Sequence, residues 1–139
     1  MFEQTGFGRQ LDILHRSMDT SLLRQNVIAD NIANANTPNF KRSDVNFESR
    51  LAYALRSERE KPRFTAAVTD ARHMTFTKTL DHRDVRPRRV LDFTTTAKNN
   101  GNNVDIEVES MNLLNNQLAY QLMTRSVSDA FARINLVLQ

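Results

Sequence analysis

The sequence predicts a mainly α chain: an elongated antiparallel pair of long N- and C-terminal coiled-coil-like helices, joined by a short helix and an extended, β-like, partly irregular middle region. Three observations carry this prediction. Apolar residues recur at seven-residue spacing near both ends of the chain, a proline turn closes the first run, and a cluster of asparagines around a glycine opens the second.

From Phe7 to about Ala35 the two rows at seven-residue spacing are Leu11, Met18, Gln25, Ile32 and Leu14, Ser21, Ile28, Ala35. Ser21 and Gln25 are polar interruptions, which weaken such a seam but can specify its register. Pro38 ends the pattern, because it lacks a donor and biases Thr37 away from the α region, and Asn39 is expected in a left-handed turn conformation. Phe47, Leu51, Ala54 and Leu55 then predict a short helix, and Arg56 to Arg63 reads as a charged linker ending near Pro62. Met74, Phe76, Lys78 and Leu80 alternate with Thr75, Thr77 and Thr79, and Val90 to Thr94 is again strand-like. Extended segments or a small hairpin are expected here, ordering in part on assembly.

The last third opens with Asn99 to Asn103 around Gly101, a turn-rich stretch. Asn103 or Asp105 is placed to cap the next helix, with Glu107 and Glu109 in its first turns at the positive end of the dipole. Its rows are Leu113, Tyr120, Val127, Ile134 and Asn116, Met123, Ala130, Val137, and nothing breaks the helix before Gln139. The expected helix seam therefore pairs Leu11, Leu14, Met18, Ile28 and Ile32 with Leu113, Tyr120, Met123, Val127 and Ile134. A further row, Leu114, Leu118 and Leu122, lies on nearly the opposite side of the same helix, and one partner helix cannot cover both. A helix of this length spans about 50 Å, against a radius of gyration of about 14 Å for a compact domain of the same size. A rod is expected, completed by other subunits. Three segments follow: 1–57, 58–100 and 101–139.

The chain offers little for chemistry. At 139 residues it is about one domain. The absence of cysteine excludes disulfides and thiolate metal sites. No apolar run approaches the roughly 18 residues of a membrane span, and Met1 to Gln10 lacks the regions of a cleaved signal. Lys and Arg total 19 against 16 acids, a net charge of +3, and most are interleaved with acids except Arg83, Arg86, Arg88 and Arg89. His15, His73 and His82 share no metal-ligand spacing and are expected in surface or structural roles. No phosphate loop, nucleophile elbow, or zinc or calcium motif is present. No catalytic, cofactor-binding or metal residue is expected, and no small-molecule substrate.

At both ends the chain resembles the axial proteins of the bacterial flagellum, the family that builds its rod and hook. The N-terminal likeness runs from about Phe2 to Lys41 through Arg24, Gln25, Ile28, Asn31, Ala33, Asn34, Thr37, Pro38, Phe40 and Lys41. The C-terminal likeness starts at Gly101-Asn102-Asn103-Val104-Asp105-Ile106-Glu107 and continues through Asn116, Gln117 and Tyr120. Asn39 stands where the family often has glycine, Asn100 where aspartate is common, and Ser110 where methionine is usual. The short chain resembles a proximal rod subunit of the basal body rather than the longer distal rod or hook proteins.

That resemblance implies a non-enzymatic subunit, exported through the flagellar type III apparatus without a cleaved signal and built into the rod that crosses the periplasm and transmits torque. It implies contacts with copies of itself, other rod proteins, and membrane-ring and export-gate components. Assembly contacts are expected at Asn31, Ala33, Asn34, Thr37, Pro38, Phe40 and Lys41, and at Leu114, Leu118 and Leu122. Two other readings compete: a basic helical nucleic-acid binder using Arg83, Arg86, Arg88 and Arg89 on phosphates, and a soluble helical chaperone or adaptor forming a discrete oligomer.

Overall fold

A computed structural model of the chain describes residues 6–60, 69–70, 72–73, 80–95 and 101–138. Among these residues, three helices and two short strands follow in the order α1 (Gly6–Ala33), β1 (Ser43–Asn46), α2 (Glu48–Arg59), β2 (Arg88–Leu91) and α3 (Ile106–Leu138), with a 3-10 turn at His82–Asp84 between α2 and β2. The strands pair as a two-stranded antiparallel sheet. No described helix is long and apolar enough to cross a membrane.

The chain forms two compact units, Met1–Val45 with Arg89–Gln139, and Asn46–Arg88. In the first, α1 packs along α3. The pairing is antiparallel: Phe7, near the start of α1, meets Phe131 edge-to-face at 6.3 Å, while Asn31, near its end, bonds Glu109 near the start of α3. Among the described residues, the buried apolar side chains of this unit are Val27, Ile28, Ala35, Val45 and Val104. More of its buried side chains are polar: Thr20, Ser21, Asn31, Ser43, Asn102, Asn103, Glu109 and Asn116. Its interior therefore rests on hydrogen bonding as much as on apolar burial.

The buried stripe of α1 departs from the strict seven-residue rows. Val27 is 2% exposed, whereas Gln25, placed on the seam by sequence, is exposed. A straight helix of 3.6 residues per turn drifts by about 20° per heptad, so the covered face migrates around α1. Leu11, Leu14, Met18 and Ile32 are half-buried on α1, as are Leu113, Tyr120, Met123, Val127 and Ile134 on α3. Val137, on the second row of α3, is 83% exposed.

In the second unit, Phe47, Leu51, Ala54 and Val85 are buried. Helix α2 runs on to Arg59, through residues the sequence assigned to a linker. Arg56 and Arg59 in its last turn favour the negative end of the helix dipole, and Ser57 and Glu58 have partners beyond the helix. Ser57 Oγ accepts from the Leu80 amide at 3.1 Å, and Glu58 Oε1 accepts from the His82 amide at 2.7 Å. The strand-like reading at Val90–Thr94 corresponds to β2, displaced towards Arg88. The alternation at Met74–Thr79 lies outside the described residues.

Candidate functional site

The asparagine-rich turn after α1 comes against the glycine-asparagine turn before α3. Helix α1 stops at Ala33, and Asn34 caps it, its amide and its Nδ2 both donating to the Asp30 carbonyl, at 3.1 and 2.8 Å. The chain then turns back at Thr37–Phe40, with the Phe40 amide on the Thr37 carbonyl at 3.3 Å. Asn39 has φ +59°, the left-handed conformation its position after Pro38 predicts. Gly101 also has positive φ, +77°, which strains any other residue, and a Cβ there would lie 2.8 Å from Asn39 Oδ1 and push that side chain aside.

Three asparagines hold this junction. Asn31 is fully buried, and its side-chain amide pairs with Ser43 as a neighbouring strand would: Nδ2 donates to the Ser43 carbonyl at 2.8 Å, and Oδ1 accepts from its amide at 3.0 Å. Asn102, also fully buried, donates from Nδ2 to the carbonyls of Asn34, Ala35 and Thr37 at 3.0, 3.1 and 3.0 Å, while Oδ1 accepts from the Val104 amide. It ties together the turn that follows α1, adding to the backbone amides of Thr37 and Phe40 that already reach the Asn34 and Thr37 carbonyls. Asn103 Oδ1 accepts from the Arg42 amide at 2.6 Å, and its Nδ2 donates to the Asp92 carbonyl and to Thr95 Oγ1.

Beneath them lies a buried ion pair. Glu109 is 1% exposed, and its Oε1 takes Arg42 Nη2 at 3.0 Å and Nε at 3.1 Å. Its Oε2 accepts the second Nδ2 hydrogen of Asn31 at 3.1 Å. Asp105, not Asn103, caps α3, its Oδ1 accepting from the Glu107 amide at 2.9 Å. The dipole role expected for Glu109 is thus secondary to a specific partner 67 positions away in sequence.

Beside this junction, Asp92 closes the loop after β2. Its carboxylate accepts from the Thr95 hydroxyl at 2.7 Å and from the Thr94 amide at 3.0 Å, and these bonds, the Thr95 hydroxyl foremost, hold it below the ordinary aspartate range.

Asn31, an expected assembly contact, has both its amide hydrogens and its oxygen engaged within the chain. Asn34 bonds within its own turn, to Asp30 and Thr37, at the surface. Of the same motif, Ala33, Thr37 and Pro38 are exposed, and Phe40 and Lys41 half-buried, with Lys41 Nζ on the Thr95 carbonyl at 3.2 Å. On α3, Leu114, Leu118 and Leu122 are 50%, 50% and 67% exposed. Leu22 and Leu23 on α1 are also exposed, and a groove lined by Phe7, Ala130, Ile134 and Leu138 runs between the far ends of the two helices.

The three histidines differ in burial and partners. His15 and His73 are exposed, while His82 is buried with Nδ1 2.7 Å from Glu58 Oε1 and 3.2 Å from Asp81 Oδ1. These three side chains could bring ligand atoms within 4.8 Å of one another, but they already bond each other and tie the 3-10 turn to α2. Arg83, Arg86 and Arg88 are exposed, and Arg89 Nη1 is 3.4 Å from Asp30 Oδ2.

Comparison with known proteins gives a consistent result. Residues 11–41 match the family described as flagella basal body rod protein. The flagellar basal body rod protein FlgB of Borreliella burgdorferi is 47% identical over 133 residues, covering 96% of this chain and 98% of that protein. FlgB of Bacillus subtilis is 32% identical, covering 95% of each chain, and FlgB of Cereibacter sphaeroides 31%, covering 94% and 97%.

Proposed function

The chain belongs to the FlgB family of flagellar basal body rod proteins and is a structural subunit of the flagellar rod; on that premise we propose that it acts without catalysis, through surfaces that tile it against its neighbours. The observation that carries this reading is the row of leucines on α3 facing away from α1. Each of Leu114, Leu118 and Leu122 is at least half exposed, and finishing the burial of each would add about 1 kcal/mol per contact. Exposed apolar rows of this kind mark interaction surfaces. Repeated through head-to-tail contacts that do not close, they would build a helical drive shaft.

In this reading the neighbours are copies of the same chain, other rod proteins, and the membrane-ring and export-gate components at the base of the rod. The subunit reaches the periplasm through the type III export apparatus without a cleaved signal. The exposed part of the turn, Ala33, Thr37 and Pro38 with Phe40 and Lys41, forms a second contact, which the asparagine network presents in a fixed shape. Segments 1–57 and 101–139 supply the rod body, and 58–100 the variable part.

Leu118→Asp tests this directly. The side chain is half exposed in the single chain, so the variant should be produced, exported and as helical as the parent. A carboxylate forced into the subunit contact costs several kcal/mol, so basal bodies should lack a completed rod and the cells should not swim. Normal motility with complete rods would refute burial of this face.

A further inference from the structure

The α1–α3 interface carries a polar layer in the middle of its seam. Asn116 is 5% exposed and donates from Nδ2 to the Ser21 carbonyl at 2.8 Å, with Ser21 and Thr20 themselves 4% and 2% exposed. Because Ser21 sits inside α1, its carbonyl is also placed to accept the helix's own hydrogen bond from Gln25. The bond from Asn116 is therefore an additional one, and Asn116 Oδ1 has no hydrogen-bond partner among the described residues. An apolar side chain of similar volume would fill the layer without burying an unpaired oxygen, so stability alone does not select asparagine here.

We propose that Asn116 is a register lock, which selects one alignment of α3 on α1 from those the seam would otherwise permit. Both sequences carry apolar rows every seven residues, so a slip of one heptad, about 10.5 Å along the axis, is the nearest competing alignment that again sets apolar row against apolar row. After such a slip Asn116 would lie level with Leu14 or Ile28. Their side chains cover the backbone that the small Ser21 leaves reachable, and the buried amide would then lose its acceptor. The penalty falls only on the wrong registers. The native register in turn is what brings Glu109 to Asn31 and Phe131 to Phe7.

The chain contains no cysteine, so introduced pairs can report register in the full-length protein. Phe7→Cys with Phe131→Cys should join through the shortest bis-methanethiosulfonate in the native register, whereas Phe7→Cys with Thr124→Cys and Leu14→Cys with Phe131→Cys, each offset by about 10.5 Å along the axis, join efficiently only after a slip in one direction or the other. Reactions are run dilute, and only intramolecular products are scored. With Asn116 intact, the native pair should exceed the slipped pairs at least tenfold. In Asn116→Leu, helical content by circular dichroism should persist while slipped products rise at least fivefold. Ser21→Leu, which covers the acceptor from the other side, should do the same. Slipped products in either folded variant support the lock. Native-only crosslinking in every variant that keeps its helix, or loss of helix in both, overturns it.

Discussion

Removing Arg42 and removing Glu109 should have unequal effects, although the two residues form one ion pair. The Glu109 side chain is 1% exposed and that of Arg42 25%. Arg42→Ala leaves a carboxylate buried with only the Asn31 amide for company, and deleting one partner of a buried pair costs about 3–5 kcal/mol. Because Arg42 is partly open to water, the lower end applies, about 3 kcal/mol. Glu109→Met removes the buried charge itself and lets the guanidinium turn to solvent. Asn31 keeps both hydrogen bonds to Ser43, so the loss is that of about one or two hydrogen bonds, roughly 1–2 kcal/mol. The double variant should then be more stable than Arg42→Ala alone, with a coupling of at least about 1 kcal/mol. Urea denaturation followed by circular dichroism measures all four corners of this cycle. Against a typical total of about 5–15 kcal/mol these differences are large. If Glu109→Met proves as damaging as Arg42→Ala, or the double variant is simply the sum, the buried charge is not what Arg42 serves.

Three further outcomes are expected. Asn102→Asp replaces a donor to three carbonyls with an acceptor that repels them, and should destabilise by at least about 3 kcal/mol, read as lost hydrogen-exchange protection at residues 34–37 and 104. Gly101→Ala should cost at least about 1 kcal/mol for its left-handed backbone, plus the clash with Asn39 Oδ1; an Asn39→Gly background should remove the clash portion, and equal cost in both backgrounds would place the strain elsewhere. The carboxylate of Asp92, held below the ordinary range by the Thr95 hydroxyl and Thr94 amide, contributes stability that is present above its unfolded value of about 3.9 and lost as pH falls through the lower folded value. The acid limb of the stability–pH curve should therefore flatten in Asp92→Asn, and an unchanged limb would count against these bonds.

What the sequence made legible is what repeats or punctuates. Seven-residue apolar rows mark α1 and α3, Pro38 and Asn39 mark the stop and its left-handed residue, and the cap of α3 is narrowed to Asn103 or Asp105 because the rule for caps is local, the structure using Asp105. The junction between the two turns was not legible, because the bonds that join one turn to the other link residues with no periodic or local relation, such as Asn102 to Ala35 or Arg42 to Glu109. Yet a signal was present. Extending the row Asn116, Met123, Ala130 back by one heptad reaches Glu109, so the same seam carries two polar residues at the levels where α3 is most buried. A charged residue on a buried seam demands a partner, and the arginine beside the asparagine-rich turn was available to be that partner. The asparagines misled for a related reason: their donors and acceptors suit a neighbouring subunit or the chain's own backbone equally well, and composition cannot tell which. Burial decides between them. With Asn31 and Asn102 fully enclosed, the motif's polar groups shape the turn and join the end of α1 to the start of α3.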